Sequence, residues 1–307
     1  MNTLINILKK NHSSDLDHAM TPVKLIDVKT QNNFTVNNPK YMVANLNNNT
    51  EIATHGKDYN LIPYEKILFG LSTALNQYGI DLNKSTINLD LHPNLNYMRL
   101  RVLFDNLTHV MKYNPKDTLK FGIEVISSYD ASIVFQLRTI FLRLICSNGM
   151  KAIRPLKATE KKHTKGLILE DAFNQLKYFE ANFKNISNEF EVLSKVKLDA
   201  NQVTDLFKQF SKSDNVLYLL NELIETKNNK NKSTLYDVYN ALTNYSTHNQ
   251  RAISVGKRNH GLYEISNSKT DAIKSTEARE LEVKNFIENN KQFLYFYGHG
   301  VERYLKQ

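Results

Sequence analysis

Three successive stretches of this chain alternate apolar with polar side chains, a period that gives an extended strand two distinct faces. Over residues 86–91, Ile87, Leu89 and Leu91 alternate with Asn88 and Asp90. A His92-Pro-Asn-Leu-Asn96 turn leads into residues 97–104, where Met98, Leu100, Val102 and Phe104 share one face and Tyr97, Arg99 and Arg101 the other. Over residues 119–126, Leu119, Phe121, Ile123 and Val125 again oppose Lys120 and Glu124. The pattern predicts a three-stranded antiparallel meander with one oily face, and an oily face has to be covered.

Helices on either side of the meander are the expected cover. Pro63 opens one, with Ile67, Leu68, Leu71 and Leu75 at helical spacing and Gly79 as its stop. Asp130 is placed to cap a second, in which Val134, Leu137, Phe141, Leu144 and Ile145 form an apolar stripe ended by Gly149. Residues 1–60 are rich in Asn and read as a loosely built opening region with short extended segments at 23–28 and 41–46. Beyond residue 165 the chain reads as helical. Ala172, Leu176, Phe179, Phe183, Ile186, Phe190 and Leu193 follow a 4,3 spacing that predicts one long helix packed lengthwise on a neighbour. Shorter helices are expected around 203–210, 216–224, 235–245 and 276–297, with 227–232 a polar linker. The fold class is α+β in three parts: an extended region 1–60, an α+β core 61–165 carrying a basic segment, and a helical region 166–307.

The basic segment is where function enters. Residues 151–165 hold Lys151, Arg154, Lys157, Lys161, Lys162 and Lys165 against the single acid Glu160, more than half of the chain's formal net charge of +9. Charge gathered this densely is a candidate phosphate site, with a solvated loop as its plain alternative. Arg99 and Arg101, with Lys120 beside them, are placed to track a phosphate backbone while the Tyr97 ring stacks on bases; cross-strand pairing with Asp90 and Glu124 is the alternative. Arg138 lies among apolar residues of its expected helix, so it either pairs with a carboxylate such as Asp130 or reaches a ligand phosphate. Arg251, Lys257, Arg258 and His260 form a weaker cluster.

Catalytic signatures are missing. The chain has no phosphate-cradling Gly-rich loop, no His-Glu-x-x-His and no nucleophile elbow. Cys146, the one cysteine, excludes an internal disulfide framework and a thiolate metal cluster. A thiol-protease set of Cys146, His163 and Asn148 is conceivable, but a small residue on the last turn of an apolar helix is ordinarily core. His248, His260 and His299 lack ligand partners at metal spacing. No apolar run is long enough to cross a membrane, and residues 1–10 lack the order of a secretory signal, so a cytoplasmic protein without cofactor or metal is expected.

Ser127-Ser-Tyr-Asp-Ala-Ser132, followed by Arg143-Leu-Ile-Cys-Ser-Asn-Gly-Met150, resembles a family of phage and plasmid proteins known as a domain of unknown function. In that family an Asp-Gly-Ser-like turn precedes an Arg-x-x-Cys-x-Asn element; Ala131 stands where Gly is frequent. Asn240-Ala-Leu-Thr-Asn-Tyr-Ser-Thr-His248 looks like its second motif, so the likeness covers roughly residues 60–260. The order helix, meander, helix is also similar to the core of the single-strand annealing proteins, the Rad-type and Red-beta/RecT group. That resemblance implies rings or filaments holding single-stranded DNA in a basic groove without nucleotide or metal.

The combined expectation is a non-catalytic protein that binds and anneals single-stranded DNA in phage or plasmid recombination and assembles with copies of itself. Its contacts would be Tyr97, Arg99, Arg101, Lys120, Arg138, Arg143, Lys151, Arg154, Lys157, Lys161, Lys162 and Lys165. The competing readings are a structural protein that self-assembles through its long helix without nucleic acid, and an enzyme acting on nucleic acid with no identifiable catalytic set.

Overall fold

The structure, a computed structural model, describes residues 3–28, 40–115, 117–143, 148–151, 159–225 and 233–248, and farther on residues 279, 281–283, 285–287, 289–290 and 293. The chain forms two compact units. One falls within Met1–Leu107, Phe121–Ile140 and Arg154–Glu180, the other within Thr108–Lys120, Phe141–Ile153 and Ala181–Gln307. The α+β class expected from the sequence holds.

The opening region is more ordered than its Asn content suggests. Helices α1 (Thr3–Asn11) and α2 (Ser13–Ala19) bury Leu4, Leu8 and Leu16. They precede an antiparallel sheet of β1 (Val23–Asp27), β2 (Lys40–Asn45) and β3 (Thr50–Gly56), two strands of which match the expected extended segments. Helix α3 (Tyr64–Gln77) starts behind Pro63, and Gly79 follows it at φ +69°, a conformation glycine adopts without penalty.

The meander belongs to a larger sheet. Strands β4 (Ser85–Leu91), β5 (Tyr97–Val110), β6 (Thr118–Ser128), β7 (Phe135–Arg143) and β8 (Asn148–Lys151) lie side by side in that order, and β9 (Thr159–Lys161) also pairs with β7. The register sets Asp90 opposite Arg99 and Asn88 opposite Arg101. At Gly122 in β6 any Cβ would collide with the Val102 carbonyl and the Leu103 side chain, so this position accepts only glycine without a backbone shift.

Strand β7 overturns the expectation of a helix capped by Asp130 and ended by Gly149. Phe135, Leu137, Thr139 and Phe141 are buried on one face, while on the other Gln136, Arg138 and Leu142 are half-buried and Ile140 is buried, the period of a strand covered on both sides at its end. Ile133, Val134, Phe135, Thr139, Ile140 and Phe141 are β-branched or aromatic, and pairing with β6 satisfies a backbone edge that a helix would leave open. Gly149 lies inside β8, and Asp130 closes the β6–β7 turn instead. The topological likeness to the annealing proteins depends on that second helix and lapses with it.

The oily face is covered by a later segment, α4 (Leu169–Phe173) and the 3-10 turn Asn174–Tyr178 leading into α5 (Phe179–Lys195). Phe179 packs edge-on to Phe104 and Phe173 to Phe135. The expected single long helix is therefore broken at Asn174–Tyr178, although Ala172, Leu176, Phe179, Ile186, Phe190 and Leu193 of its seam are all buried.

In the second unit, Phe190 is the hub of a ring cluster with Phe141, Tyr236 and Tyr239. Helix α6 (Ala200–Phe210) starts with a capping box in which Asp199 and Gln202 satisfy each other's backbone N–H groups. Strand β10 (Lys197–Leu198) pairs with β11 (Ser233–Thr234). Helices α7 (Asp214–Glu225) and α8 (Leu235–His248) complete the layer, and α8 packs on β8. Residues 279, 281–283, 285–287 and 289, within the last expected helix, are helical. Among the described residues no helix is long and apolar enough to cross a membrane.

Candidate nucleic-acid interface

Three arginines of the sheet, Arg99, Arg101 and Arg138, are committed to carboxylates. Arg99 Nε donates to Asp90 at 3.3 Å. Glu124, fully buried, accepts from Arg101 Nε at 2.8 Å through one oxygen and from Arg138 Nε at 2.6 Å through the other. Three neighbouring strands thus hold an Arg–Glu–Arg triad, and Arg138 finds its carboxylate across the sheet rather than at Asp130. Lys120 is half-buried and has a partner of its own. Tyr97 is 1% exposed, so its ring cannot receive a base, and burial raises its phenol pKa with Arg99 opposing. The cross-strand alternative is the arrangement these residues adopt. They form no open cationic trough.

Of the basic segment, Lys161 in β9, Lys162 and Lys165 are exposed. Arg143 and Lys151 are described in their backbone alone, at the ends of β7 and β8. Arg154 and Lys157 lie outside the described residues, as do Cys146, Lys227, Lys232 and the Arg251, Lys257, Arg258 and His260 cluster.

Next to these lysines is a constellation that sequence spacing does not disclose. The rings of His55 and Tyr59 stack at 3.7 Å, nearly parallel, and His163 lies beyond Tyr59 at 5.9 Å. The Tyr129 carbonyl fixes the stack, accepting from His55 Nε2 at 2.7 Å and from the Tyr59 hydroxyl at 3.0 Å. Tyr129 is itself anchored: its ring stacks on Tyr64 at 3.9 Å and its hydroxyl accepts from the Tyr64 backbone N–H at 2.8 Å. Burial pushes the hydroxyl pKa of Tyr59, Tyr64 and Tyr129 upward, which keeps all three neutral.

The turn after Tyr129 completes the frame. Asp130 Oδ1 accepts from the Ser132 backbone N–H at 2.9 Å and from its hydroxyl, while Ser128 Oγ bonds both the N–H and the carbonyl of Ile133. Ala131 sits between at φ +54°, in the left-handed region. This backbone explains why glycine would suit the position.

His163 is held by its backbone, whose carbonyl accepts from Asn60 N–H at 2.9 Å, and Thr164 bridges to Tyr59. Its side chain is 5% exposed, and neither ring nitrogen has a hydrogen-bond partner. Burial lowers its pKa to about 4 against the opposing effect of the nearby Ile133 backbone, so the imidazole is neutral at physiological pH. His55, Tyr59, His163 and Thr164 line an open recess of about 330 Å³ whose wall also includes Gly56, Asp58, Ala131, Val134 and Lys162. A larger groove of about 540 Å³ runs between α3 and α4 past Phe69, Gly70 and Phe173, but none of its lining side chains is a buried polar group lacking a partner. Among the described residues no three His, Cys, Asp or Glu side chains gather to hold a metal.

A family model described as a domain of unknown function (DUF932) matches residues 51–281. The chain belongs to the DUF932 family. The matched span contains every element of the recess, from His55 to Thr164, together with β8 and α8. Neither the curated proteins nor the solved structures include a match to this DUF932 chain. Of the residues expected at the site, Lys162 lines the recess, with Lys161 and Lys165 close in sequence. Sequence reasoning misses Tyr59, Tyr129 and His55, and it reaches His163 only as a partner for Cys146. The signal within reach is the Ser127–Ser132 segment, whose turn supports the recess.

Proposed function

We propose that this DUF932 protein binds single-stranded DNA without chemically altering it, along the exposed lysines Lys161, Lys162 and Lys165 and into the recess beside Tyr59. The observation that carries the reading is the meeting of cation and ring: Lys162 lines the same recess as Tyr59 and His163. Ammonium groups neutralise backbone phosphates and release counterions, while a recess lined by ring edges and apolar side chains accepts a base without regard to its identity. The arginines Arg99, Arg101 and Arg138 leave the contact set, because their charge is compensated inside the sheet. Strand annealing, self-assembly and a role in phage or plasmid recombination are the proposed consequences, since annealing requires several bound copies to present one strand to its complement.

Fluorescence anisotropy with a labelled oligonucleotide tests this. The expected result is salt-sensitive binding of single strands that weakens when Lys161, Lys162 and Lys165 are replaced together by Ala. No binding at low salt, or hydrolysis of the labelled strand by the purified chain, overturns it.

A further inference from the structure

The recess holds a polar group that the fold leaves unanswered. His163 is nine-tenths buried, yet neither ring nitrogen makes a well-formed hydrogen bond, the Ile133 backbone lying only near enough to favour the charged ring weakly. Buried polar groups are ordinarily paired, and one left open inside a recess is a ready point of attachment for a ligand. The groups around it are largely occupied. His55 Nε2 and the Tyr59 hydroxyl both point to the Tyr129 carbonyl, and Asp130 is bound to Ser132. What remains toward the recess is the His163 imidazole, the apolar walls Ala131 and Val134, and Lys162 and Asp58 at the exposed rim.

We infer that this recess is a subsite for a single nucleobase, held against the walls Ala131 and Val134 with its polar edge on His163 and its phosphate met by Lys162. The inference rests on the strand-binding reading for the natural source of the base; a free nucleotide presents the same chemistry. A neutral imidazole offers one N–H donor and one bare nitrogen acceptor, and the edges of nucleobases carry both kinds of partner. At about 330 Å³ the recess is at the small end of ligand pockets, suited to one base and its sugar rather than a dinucleotide. A lysine-lined strand path tolerates any sequence, whereas a base edge read by His163 adds a preference at one position.

The test titrates the full-length protein with each of the four deoxynucleoside 5′-monophosphates, with deoxyribose 5-phosphate and with inorganic phosphate, by calorimetry. At least one monophosphate is expected to bind about tenfold or more tighter than the sugar phosphate, and His163→Phe, which keeps a planar ring and removes both nitrogens, is expected to abolish that margin. If the variant does not fold, the ring resonances of His163 in the unaltered chain give the same information, shifting with the base-bearing ligand and not with sugar phosphate. Equal binding of monophosphates and sugar phosphate overturns the inference, as does a margin that survives in His163→Phe. Monophosphate binding through His163 without any oligonucleotide binding supports the subsite and overturns the strand reading. Oligonucleotide binding that is indifferent to His163→Phe, with no monophosphate preferred, does the reverse.

Discussion

Two residues of the recess carry measurable thermodynamic signatures. His163 has its pKa lowered from 6.5 to about 4 in the folded protein, chiefly by burial. The unfolded chain therefore binds a proton over that interval while the folded chain does not. Its contribution to stability is complete above pH 6.5 and is lost as pH falls toward 4, about 3 kcal/mol in all. The groups facing it are the Ile133 backbone, His55, Tyr59, Asp130 and Lys162, so the difference between the pH–stability profiles of the unaltered chain and His163→Phe isolates this contribution. A difference that stays flat between these pH values contradicts it. Ala131, at φ +54°, has the opposite character: relieving the left-handed strain with Ala131→Gly is expected to raise stability by up to about 1 kcal/mol in denaturant unfolding, because the gain is partly offset by glycine's greater freedom when unfolded. Neither residue is legible in the sequence as a neighbour of Tyr59 or His55, since bonds made through the Tyr129 carbonyl leave no trace in residue spacing.

At the level of elements, the strands with clean alternation are readable and the strand with mixed signals is not. Residues 86–91, 97–104 and 119–126 each carry one apolar face, and β4, β5 and β6 contain them. Residues 134–145 offer a helical stripe through Val134, Leu137 and Phe141 as well as alternation through Phe135, Leu137, Thr139 and Phe141. Neighbour β6 decides between them by needing a partner for its open edge, a tertiary requirement that no local window contains. With β7 in place, Arg138 ceases to be an anomaly on an apolar helix and becomes one arm of the triad on Glu124. Glu124→Gln is expected to destabilise the protein by about 3–5 kcal/mol, because it leaves two guanidinium groups around a buried neutral amide. Replacing Arg101, Glu124 and Arg138 together by apolar residues of similar size is expected to cost much less, and chemical denaturation of the two variants makes the comparison. The helical seam from Ala172 to Leu193 shows the converse lesson. Its apolar residues are buried as their spacing implies, save the half-buried Phe183, but the 3-10 turn at Asn174–Tyr178 breaks the rod that continuous spacing suggests.

Across the molecule, a formal charge of +9 says less than where the compensating acids sit. Carboxylates of the sheet neutralise Arg99, Arg101 and Arg138, while Lys161, Lys162 and Lys165 remain exposed near the recess. The salt dependence of strand binding is therefore expected to follow the lysines: Lys161→Ala with Lys165→Ala lowers the slope of log affinity against log salt by roughly 0.7 for each phosphate that is no longer neutralised. An unchanged slope assigns these lysines to solvent. The central claim, that a single strand lies across the recess beside Tyr59, is tested most directly by photocrosslinking with an oligonucleotide carrying 5-iododeoxyuridine and mapping of the modified peptide. Attachment at Tyr59 or His163 is the predicted result. Attachment confined to other segments, with Tyr59 and His163 unmodified at saturating oligonucleotide, contradicts it.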